Sequence, residues 1–237
     1  MVQTLQAKEV TLYQLETYFG LQRTEDEQFF REWQDNLPEL TEAERQRLDR
    51  VRTSYFNLLR YPPLLENTVK MVVLSPLLDL ADFYLPPFHI KSEKSTAIVD
   101  EDDRVKLTGQ LDVLTLSEQF WIAVIESKKA AFSLEVGRAQ ILSYMLASPN
   151  GDRGIFGLIA NGGSFRFLKL VKGETPQYVV SRIFDLLNPG NDLYPVLQIL
   201  KRFGQLAISN GLNGANGSIG GRGAASETRR RGDGETG

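Results

Sequence analysis

The chain has 237 residues, enough for one domain with a substantial hydrophobic core. Its 27 basic and 30 acidic residues give a net charge of −3, which argues against a protein that coats nucleic acid through a broad basic surface. The sequence lacks cysteine, a secretory-signal pattern and any apolar run near the roughly 18 residues of a membrane span, so we expect a cytoplasmic protein without disulfides and without membrane contact.

The first part of the chain, residues 1–60, predicts an N-terminal helical cap. Three helices are expected there, over residues 11–19, 24–33 and 41–59. Thr41 followed by Glu44 has the spacing of a capping box, which satisfies the first backbone donors of the longest helix. Leu48, Val51 and Tyr55 then form one apolar stripe along that helix.

Residues 61–210 predict a mixed α/β domain. A helical stretch follows Pro62-Pro63, and Ser75-Pro76 is expected to break or restart it. The later elements are expected in the order strands 88–99, 105–116 and 120–125, helix 134–147, strands 155–160, 165–171 and 178–183, and helix 193–207. Short connections predict two antiparallel hairpins, and the alternation predicts a sheet covered by helices on both sides.

The C-terminal segment, residues 211–237, is rich in Gly, Asn, Ser, Ala and Arg and almost lacks large apolar side chains. Burial cannot offset the entropy lost on ordering such a composition, which predicts a disordered Gly-rich tail. Its run Arg229-Arg230-Arg231 could contact phosphate, but a short charge run of this kind is usually solvated.

Two carboxylates lie in otherwise apolar predicted strands. Asp112 interrupts one, and Glu126 ends the next. An unpaired carboxylate in a buried strand is costly, so a compensating group is expected nearby. If the two strands pair through the turn near Glu118, Asp112 lies near Val124 to Glu126, and strand alternation puts Glu126 and Lys128 on one face. The pattern predicts two carboxylates and one ammonium at one strand end.

Such a group suits a divalent cation. Mg²⁺ is usually held by one or two carboxylates together with substrate phosphate, and Mn²⁺ is the natural substitute. A bound ion lowers the pKa of its water, while Lys128 could orient that water and stabilise developing charge. The alternatives are a salt bridge between Asp112 and Lys128 and a solvated strand end at Glu126. One acidic-x-Lys triplet is expected by chance in a chain of this composition.

Taken together, these motifs resemble the PD-(D/E)XK restriction-endonuclease-like nucleases, in particular the N-terminal nuclease domain of type I restriction enzyme R subunits. The similar segments, in family order, are Glu66 with Val72-Val73-Leu74-Ser75-Pro76-Leu77-Leu78, Gly109-Gln110-Leu111-Asp112, Glu126-Ser127-Lys128, and Gln140 with Tyr144. Leu111 stands where the family commonly has proline. The phosphate-binding loop of a helicase motor is absent, so the resemblance is to a stand-alone nuclease domain.

The resemblance implies a restriction-endonuclease-like fold and Mg²⁺-dependent hydrolysis of DNA phosphodiester bonds. It implies Asp112 and Glu126 as metal ligands together with the Ser127 backbone carbonyl. Lys128 would be the catalytic lysine, and Gln140 would position that lysine or the scissile phosphate. Glu66 would either bind the metal itself or contact the metal ligands without touching the ion. DNA is the implied partner, and restriction or defence subunits or a second copy of the chain are compatible with it.

Two other functions remain open from the sequence. One is a catalytically inactive nuclease-like subunit that binds DNA or a partner without cutting, and the other is an interaction protein that docks through its helical cap. Tyr144 is expected in the core, and His89, the only histidine, is expected to be structural. Four basic residues could meet DNA phosphates but are better explained as a solvated sheet face: Lys91, Lys94, Arg104 and Lys106.

Overall fold

The computed structural model describes residues 3–6, 9–61, 66–88, 95–99, 105–110, 113–117, 120–124, 133–148, 154–161 and 163–216. The helices are α1 (Leu12–Phe19), α2 (Glu42–Leu59), α3 (Glu66–Val69), a π-helical segment (Lys70–Leu74), α4 (Ser75–Leu80), α5 (Ser133–Leu146) and α6 (Leu193–Asn216). The strands are β1 (Gln3–Gln6), β2 (Gln22–Arg23), β3 (Ser95–Val99), β4 (Val105–Gln110), β5 (Val113–Ser117), β6 (Phe120–Val124), β7 (Ile155–Asn161), β8 (Ser164–Val171) and β9 (Gln177–Asp185). The architecture is mixed α/β, as predicted.

The strands form two sheets. A three-stranded sheet has the order β1-β4-β3, and a six-stranded sheet has the order β2-β9-β8-β7-β6-β5. Three neighbouring pairs are parallel, namely β1 with β4, β2 with β9 and β6 with β7, and the other pairs are antiparallel. The strand predicted over residues 105–116 is therefore divided, because β4 and β5 belong to different sheets.

Helices cover both faces of the six-stranded sheet, and each face has its own core. The aromatic face packs α2, the π-helical segment, α4 and α6 against the sheet through buried rings that include Phe30, Phe156, Phe167, Phe184 and Phe203. The aliphatic face packs α1 and α5 through side chains that include Leu15, Ile141, Met145, Ile155 and Ile159. Strand β7 is buried throughout and alternates between the two cores, as a central strand should.

A β-bulge in β9 assigns the two ends of that strand to opposite cores. Arg166 of β8 pairs with Ile183, whereas Leu168 pairs with Val180, so β9 contributes one extra residue. Tyr178 and Phe184 would point the same way in a regular strand. With the bulge between them, Tyr178 packs on the aliphatic face and Phe184 on the aromatic face.

The predicted start of α2 is confirmed. The Thr41 hydroxyl accepts from the Glu44 backbone N–H at 3.3 Å, and a Glu44 carboxylate oxygen accepts from the Thr41 backbone N–H at 2.7 Å. This reciprocal pair is a capping box. Helix α1 begins in the same way, with Thr11 and Gln14 as the capping pair.

The predicted helix over residues 24–33 is wrong, because this stretch forms turns. The Asp26 carboxylate accepts from the Gln28 backbone N–H at 2.9 Å, and the Thr24 hydroxyl accepts from the Asp26 backbone N–H at 3.2 Å. Short polar side chains that bond to nearby backbone in this way compete with helix formation. Lys169 of β8 holds the turns in place, since its ammonium donates to the Phe29 carbonyl at 2.7 Å and pairs with Glu32.

The prediction that residues 1–60 form a purely helical cap also needs correction. β1 and β2 lie within it, and each adds a parallel strand to a sheet. Leu15 contributes to the aliphatic core, and Leu48, Val51 and Tyr55 contribute to the aromatic core. The N-terminal segment is therefore built into the same cores as the sheet.

The helical stretch after Glu66 runs through Pro76 without a break. Proline cannot donate a backbone hydrogen bond, and its ring clashes with the carbonyl four residues earlier. Here the helix widens instead into the π-helical segment, where the Ser75 N–H donates to the Lys70 carbonyl five residues back. Pro76 then occupies the first turn of α4, a position that tolerates proline.

Two predicted boundaries moved. Strand β3 begins at Ser95 rather than at Phe88, where the prediction began it. Phe88 lies outside any strand, and residues 89–94 lie outside the described ranges. Helix α6 continues to Asn216, so residues 211–216 of the predicted tail are helical, and the rest of the tail lies outside the described ranges. Within those ranges, no helix combines the length and apolar character that a bilayer crossing requires.

Candidate active site

The strands that flank the predicted carboxylates form the expected hairpin. β5 and β6 pair antiparallel, with Val113 opposite Ala123 and Leu114 opposite Ile122. β5 begins one residue after Asp112, and β6 ends two residues before Glu126. The predicted hairpin register is thus confirmed to within a residue. Four predicted site residues, Asp112, Glu126, Ser127 and Lys128, lie outside the described ranges, so their convergence stays a prediction.

The neighbouring strand contributes a buried polar residue that sequence reasoning missed. β6 and β7 are parallel, and Val124 pairs with Ala160, so the carboxyl ends of both strands meet at one edge of the sheet. Asn161 is the last residue of β7, and it is 7% exposed after six apolar or glycine residues. The sequence Asn161-Gly162-Gly163 indicated only a turn. The sequence feature that could have identified Asn161 is a polar residue at the end of an apolar run that forms a fully buried strand.

Helix α5 carries Gln140 and packs closely on β7. Gln140 is half-buried, and its backbone carbonyl accepts from the Ser143 hydroxyl at 2.7 Å. The next residue, Ile141, lies over Gly157, where an added Cβ would stand 2.9 Å from the Ile141 Cδ1. A larger residue at this position would make the Ile141 and Met145 side chains shift, so Gly157 lets α5 lie close to β7. Gln140 therefore stands on a helix that is tightly held against the centre of the sheet.

Tyr144 lies one turn after Gln140 and belongs to the core. Its side chain is 1% exposed among the aliphatic residues of α5 and β7, as expected from the sequence. Burial raises the pKa of the Tyr144 phenol to about 12. The hydroxyl therefore keeps its proton at neutral pH and cannot serve as a general base.

The remaining predicted residues are located only in part. Glu66 is the first residue of α3, and its side chain is not described. The helical stretch that follows it is anchored in the aromatic core by Val73, Leu74 and Leu77. His89, Lys91, Lys94 and Arg104 lie outside the described ranges, and Lys106 lies on β4 without a described side chain.

Helix α2 lies against the same edge of the sheet as Asn161. The turn between β7 and β8 contains Gly163, where an added Cβ would stand 2.8 Å from the Tyr55 Oη. Burial and the nearby Asp185 carboxylate raise the pKa of Tyr55, so its hydroxyl is neutral. The Tyr55 ring thus closes over the β7–β8 turn and holds the C-terminal half of α2 at this edge.

No group of three or more acidic or histidine side chains that could hold a metal ion occurs among the described residues. Of the carboxylates predicted to do so, Asp112 and Glu126 lie outside those ranges, and the side chain of Glu66 is not described. Comparison of the sequence with models of known protein families and with curated proteins gave no match.

Proposed function

We propose that this chain is a Mg²⁺-dependent endonuclease that hydrolyses DNA phosphodiester bonds and has a restriction-endonuclease-like core. The observation that carries the proposal is the strand arrangement around the candidate site. An antiparallel hairpin, β5 with β6, is followed by α5 and then by β7 parallel to β6. In the sequence, Asp112 directly precedes β5, and Glu126 follows the last residue of β6 by two positions.

The position of the candidate residues agrees with the way α/β sheets build ligand sites. Ligands commonly bind beyond the carboxyl ends of parallel strands, where side chains from neighbouring strands converge. Glu126-Ser127-Lys128 follows the carboxyl end of β6, and the adjacent β7 ends in buried Asn161. Helix α5, with Gln140, connects these two strands.

The donor set has the chemistry that Mg²⁺ prefers, because two carboxylates and a backbone carbonyl are all oxygen ligands. Asp112, Glu126 and the Ser127 carbonyl would hold the ion, which supplies a water of lowered pKa and neutralises charge on the phosphate when bound. Lys128 would donate hydrogen bonds that orient the attacking water and stabilise the developing negative charge. Gln140 would donate its amide protons to the scissile phosphate or position Lys128.

The test is incubation of the purified chain with supercoiled plasmid and Mg²⁺ or Mn²⁺, followed by gel analysis. We expect nicked or linear product, and we expect Asp112→Ala and Lys128→Ala each to lower the cleavage rate by about a hundredfold or more. Matched controls are Asp79→Ala, an exposed aspartate of α4, and Lys129→Ala, the lysine next to the candidate. Both controls should cleave like the wild type.

Intact plasmid under all conditions, or equal loss in the candidate and control variants, would contradict the proposal. Calorimetric titration with Mg²⁺ then addresses the alternative of an inactive binding subunit. The proposed enzyme should show a binding site that Glu126→Ala removes, whereas a subunit that only binds DNA or a partner need not bind the ion.

A further inference from the structure

One face of α2 presents four polar side chains to solvent. Arg47, Arg50, Ser54 and Asn57 follow one another at intervals of three and four residues, which places them along one side of the helix. We call this set the arginine stripe. It lines one wall of a cleft of about 530 Å³, whose other wall is the helical stretch after Glu66, with Met71, Val72 and Pro76.

The side chains of the arginine stripe make no hydrogen bond or ion pair with any residue in the described part of the chain. The acidic residues nearest to them on α2 are already engaged. Glu44 pairs with Lys201 of α6, and Asp49 accepts from the Tyr194 hydroxyl at 2.7 Å and from the Asn191 amide at 2.9 Å. The third carboxylate of α2, Glu42, accepts from the Gln46 amide at 3.1 Å, and none of the three forms an ion pair with the stripe.

Other arginines of α2 have structural roles, which sets Arg47 and Arg50 apart. Arg45 lies over the Tyr194 ring at 5.2 Å, and Arg52 lies over the Phe56 ring at 4.8 Å. Arg47 and Arg50 are exposed, and like charges three residues apart weaken a helix slightly. Two adjacent guanidinium groups without an ion pair or ring contact in the described part of the chain are available to an external anion.

We infer that the arginine stripe binds phosphates of the DNA substrate on either side of the cut, an inference that rests on the proposed nuclease function. Guanidinium forks match phosphate oxygens, and serine and asparagine are common phosphate donors in protein–DNA contacts. The first and last residues of the stripe, Arg47 and Asn57, are ten positions apart, or roughly 15 Å along the helix axis. One DNA strand advances about 3.4 Å per nucleotide, so the stripe can follow several successive phosphates.

The position of α2 suits this role. Tyr55 holds the helix against the β7–β8 turn, at the sheet edge where the candidate carboxylates are expected. Met71 is 72% exposed on the opposite wall of the cleft. It offers apolar surface that a deoxyribose can contact, and it does not compete with phosphate for the donors of the arginine stripe. An acidic peptide is the other ligand with matching charge. Four donors spaced along a helix favour the regularly repeated charges of a nucleic-acid strand.

The test measures binding of the full-length chain to a fluorescently labelled DNA duplex by anisotropy, in EDTA so that no cleavage is needed. We expect Arg47→Ala and Arg50→Ala each to raise Kd about three- to tenfold. Each should also lower the slope of log K against log salt concentration by roughly 0.9, the value for one phosphate contact. The matched control is Arg23→Ala, an exposed arginine of β2 at the other end of the sheet.

Circular dichroism and the urea midpoint should stay close to the wild-type values, because Arg47 and Arg50 are exposed and make no hydrogen bond, ion pair or ring contact among the described residues. Unchanged affinity and salt slope in the double variant would overturn the inference, even if the chain cuts plasmid. Arginine-dependent DNA binding by a chain that never cuts would support the stripe and contradict only the nuclease proposal. Binding of labelled poly-glutamate but not DNA would overturn the inference in favour of an acidic protein partner.

Discussion

The two faces of the six-stranded sheet are built in different ways. The aromatic face joins residues far apart in the chain, since Phe30, Phe156 and Phe203 stack with ring centroids 4.3 to 6.1 Å apart. The aliphatic face joins β7 and β8 to α1 and to α5, the helix with Gln140. The difference teaches that closure of the fold and the positioning of Gln140 depend on opposite sides of the sheet. Substitutions on the two sides should therefore have separable effects.

The largest expected effect is on the aromatic face. Phe156→Ala removes the ring that stacks on both Phe30 and Phe203, and it leaves a cavity between an N-terminal turn, β7 and α6. We expect the free energy of unfolding to fall by about 3–5 kcal/mol, as measured by urea denaturation. Phe156→Leu, which keeps most of the buried volume, should lose much less. A loss below about 1 kcal/mol for Phe156→Ala would show that the stacked rings are not the main contact holding these distant parts of the chain together.

The next effect concerns the bulge that divides β9 between the two faces. The buried Ser181 hydroxyl accepts from the Phe167 backbone N–H at 3.0 Å and donates to the Arg182 carbonyl at 2.7 Å. Ser181→Ala leaves the Phe167 N–H without this acceptor, so we expect a loss of about 1–3 kcal/mol in unfolding free energy.

Ser209→Ala is the matched control for this substitution. The Ser209 hydroxyl donates to the Gln205 carbonyl on the exposed side of α6, where water can replace it. Its removal should change stability by less than about 0.5 kcal/mol. Equal losses in the two variants would mean that the Ser181 hydroxyl does not hold the bulge together.

The sequence predicted those parts of the fold that depend on local patterns. The capping box of Thr41 and Glu44 is a contact between near neighbours, and the β7–β8 hairpin follows from two apolar runs around Asn161-Gly162-Gly163. β2 escaped prediction because Gln22 and Arg23 have no apolar pattern, and they form a strand only because β9 offers an edge. The bulge at Ser181 escaped because the extra residue shows only in the pairing of β9 with β8 and not in a local residue pattern.

The candidate site was predictable to a different extent. The register of β5 with β6 follows from two apolar runs and a short connection, and the structure confirms it. The parallel pairing of β6 with β7, which brings Asn161 to the same edge, joins strands separated by a whole helix, and no local pattern reports it. The roles of Asp112, Glu126 and Lys128 depend on side-chain geometry outside the described ranges and stay predictions.

Gln140→Ala tests whether a residue on the aliphatic side contributes to cleavage while contributing little to the free energy of unfolding. Gln140 is half-buried, so its truncation should change the unfolding free energy by less than about 0.5 kcal/mol. If its amide positions Lys128 or the phosphate, the plasmid cleavage rate should fall about tenfold or more, which corresponds to about 1.4 kcal/mol. Gln205→Ala, an exposed glutamine of α6, is the control. Wild-type cleavage by Gln140→Ala would assign Gln140 to the surface of an ordinary amphipathic helix.

The smallest effect is a pH dependence on the aromatic side, where Glu44 links α2 to Lys201 of α6. Burial raises the pKa of the Glu44 carboxyl, but hydrogen bonds from Lys201 and Thr41 outweigh burial and lower it below the usual 4.5. A carboxyl with a lowered pKa in the folded state stabilises the protein above its unfolded pKa, and that stability is lost as pH falls through the folded pKa.

Glu44→Gln keeps a capping-box acceptor, as Gln14 does in α1, but it removes the charge that pairs with Lys201, so we expect it to cost up to about 1 kcal/mol at pH 7. The difference from the wild type should shrink as the pH is lowered below about 4.5, as followed by urea denaturation across this range. Glu39→Gln, at an exposed position before the helix, should leave the wild-type profile unchanged. If Glu44→Gln loses stability in acid as steeply as the wild type, carboxylates other than Glu44 dominate the pH dependence of the unfolding free energy. The link between α2 and α6 would then depend on the contacts of Tyr194 with Arg45 and Asp49 rather than on the pair of Glu44 with Lys201.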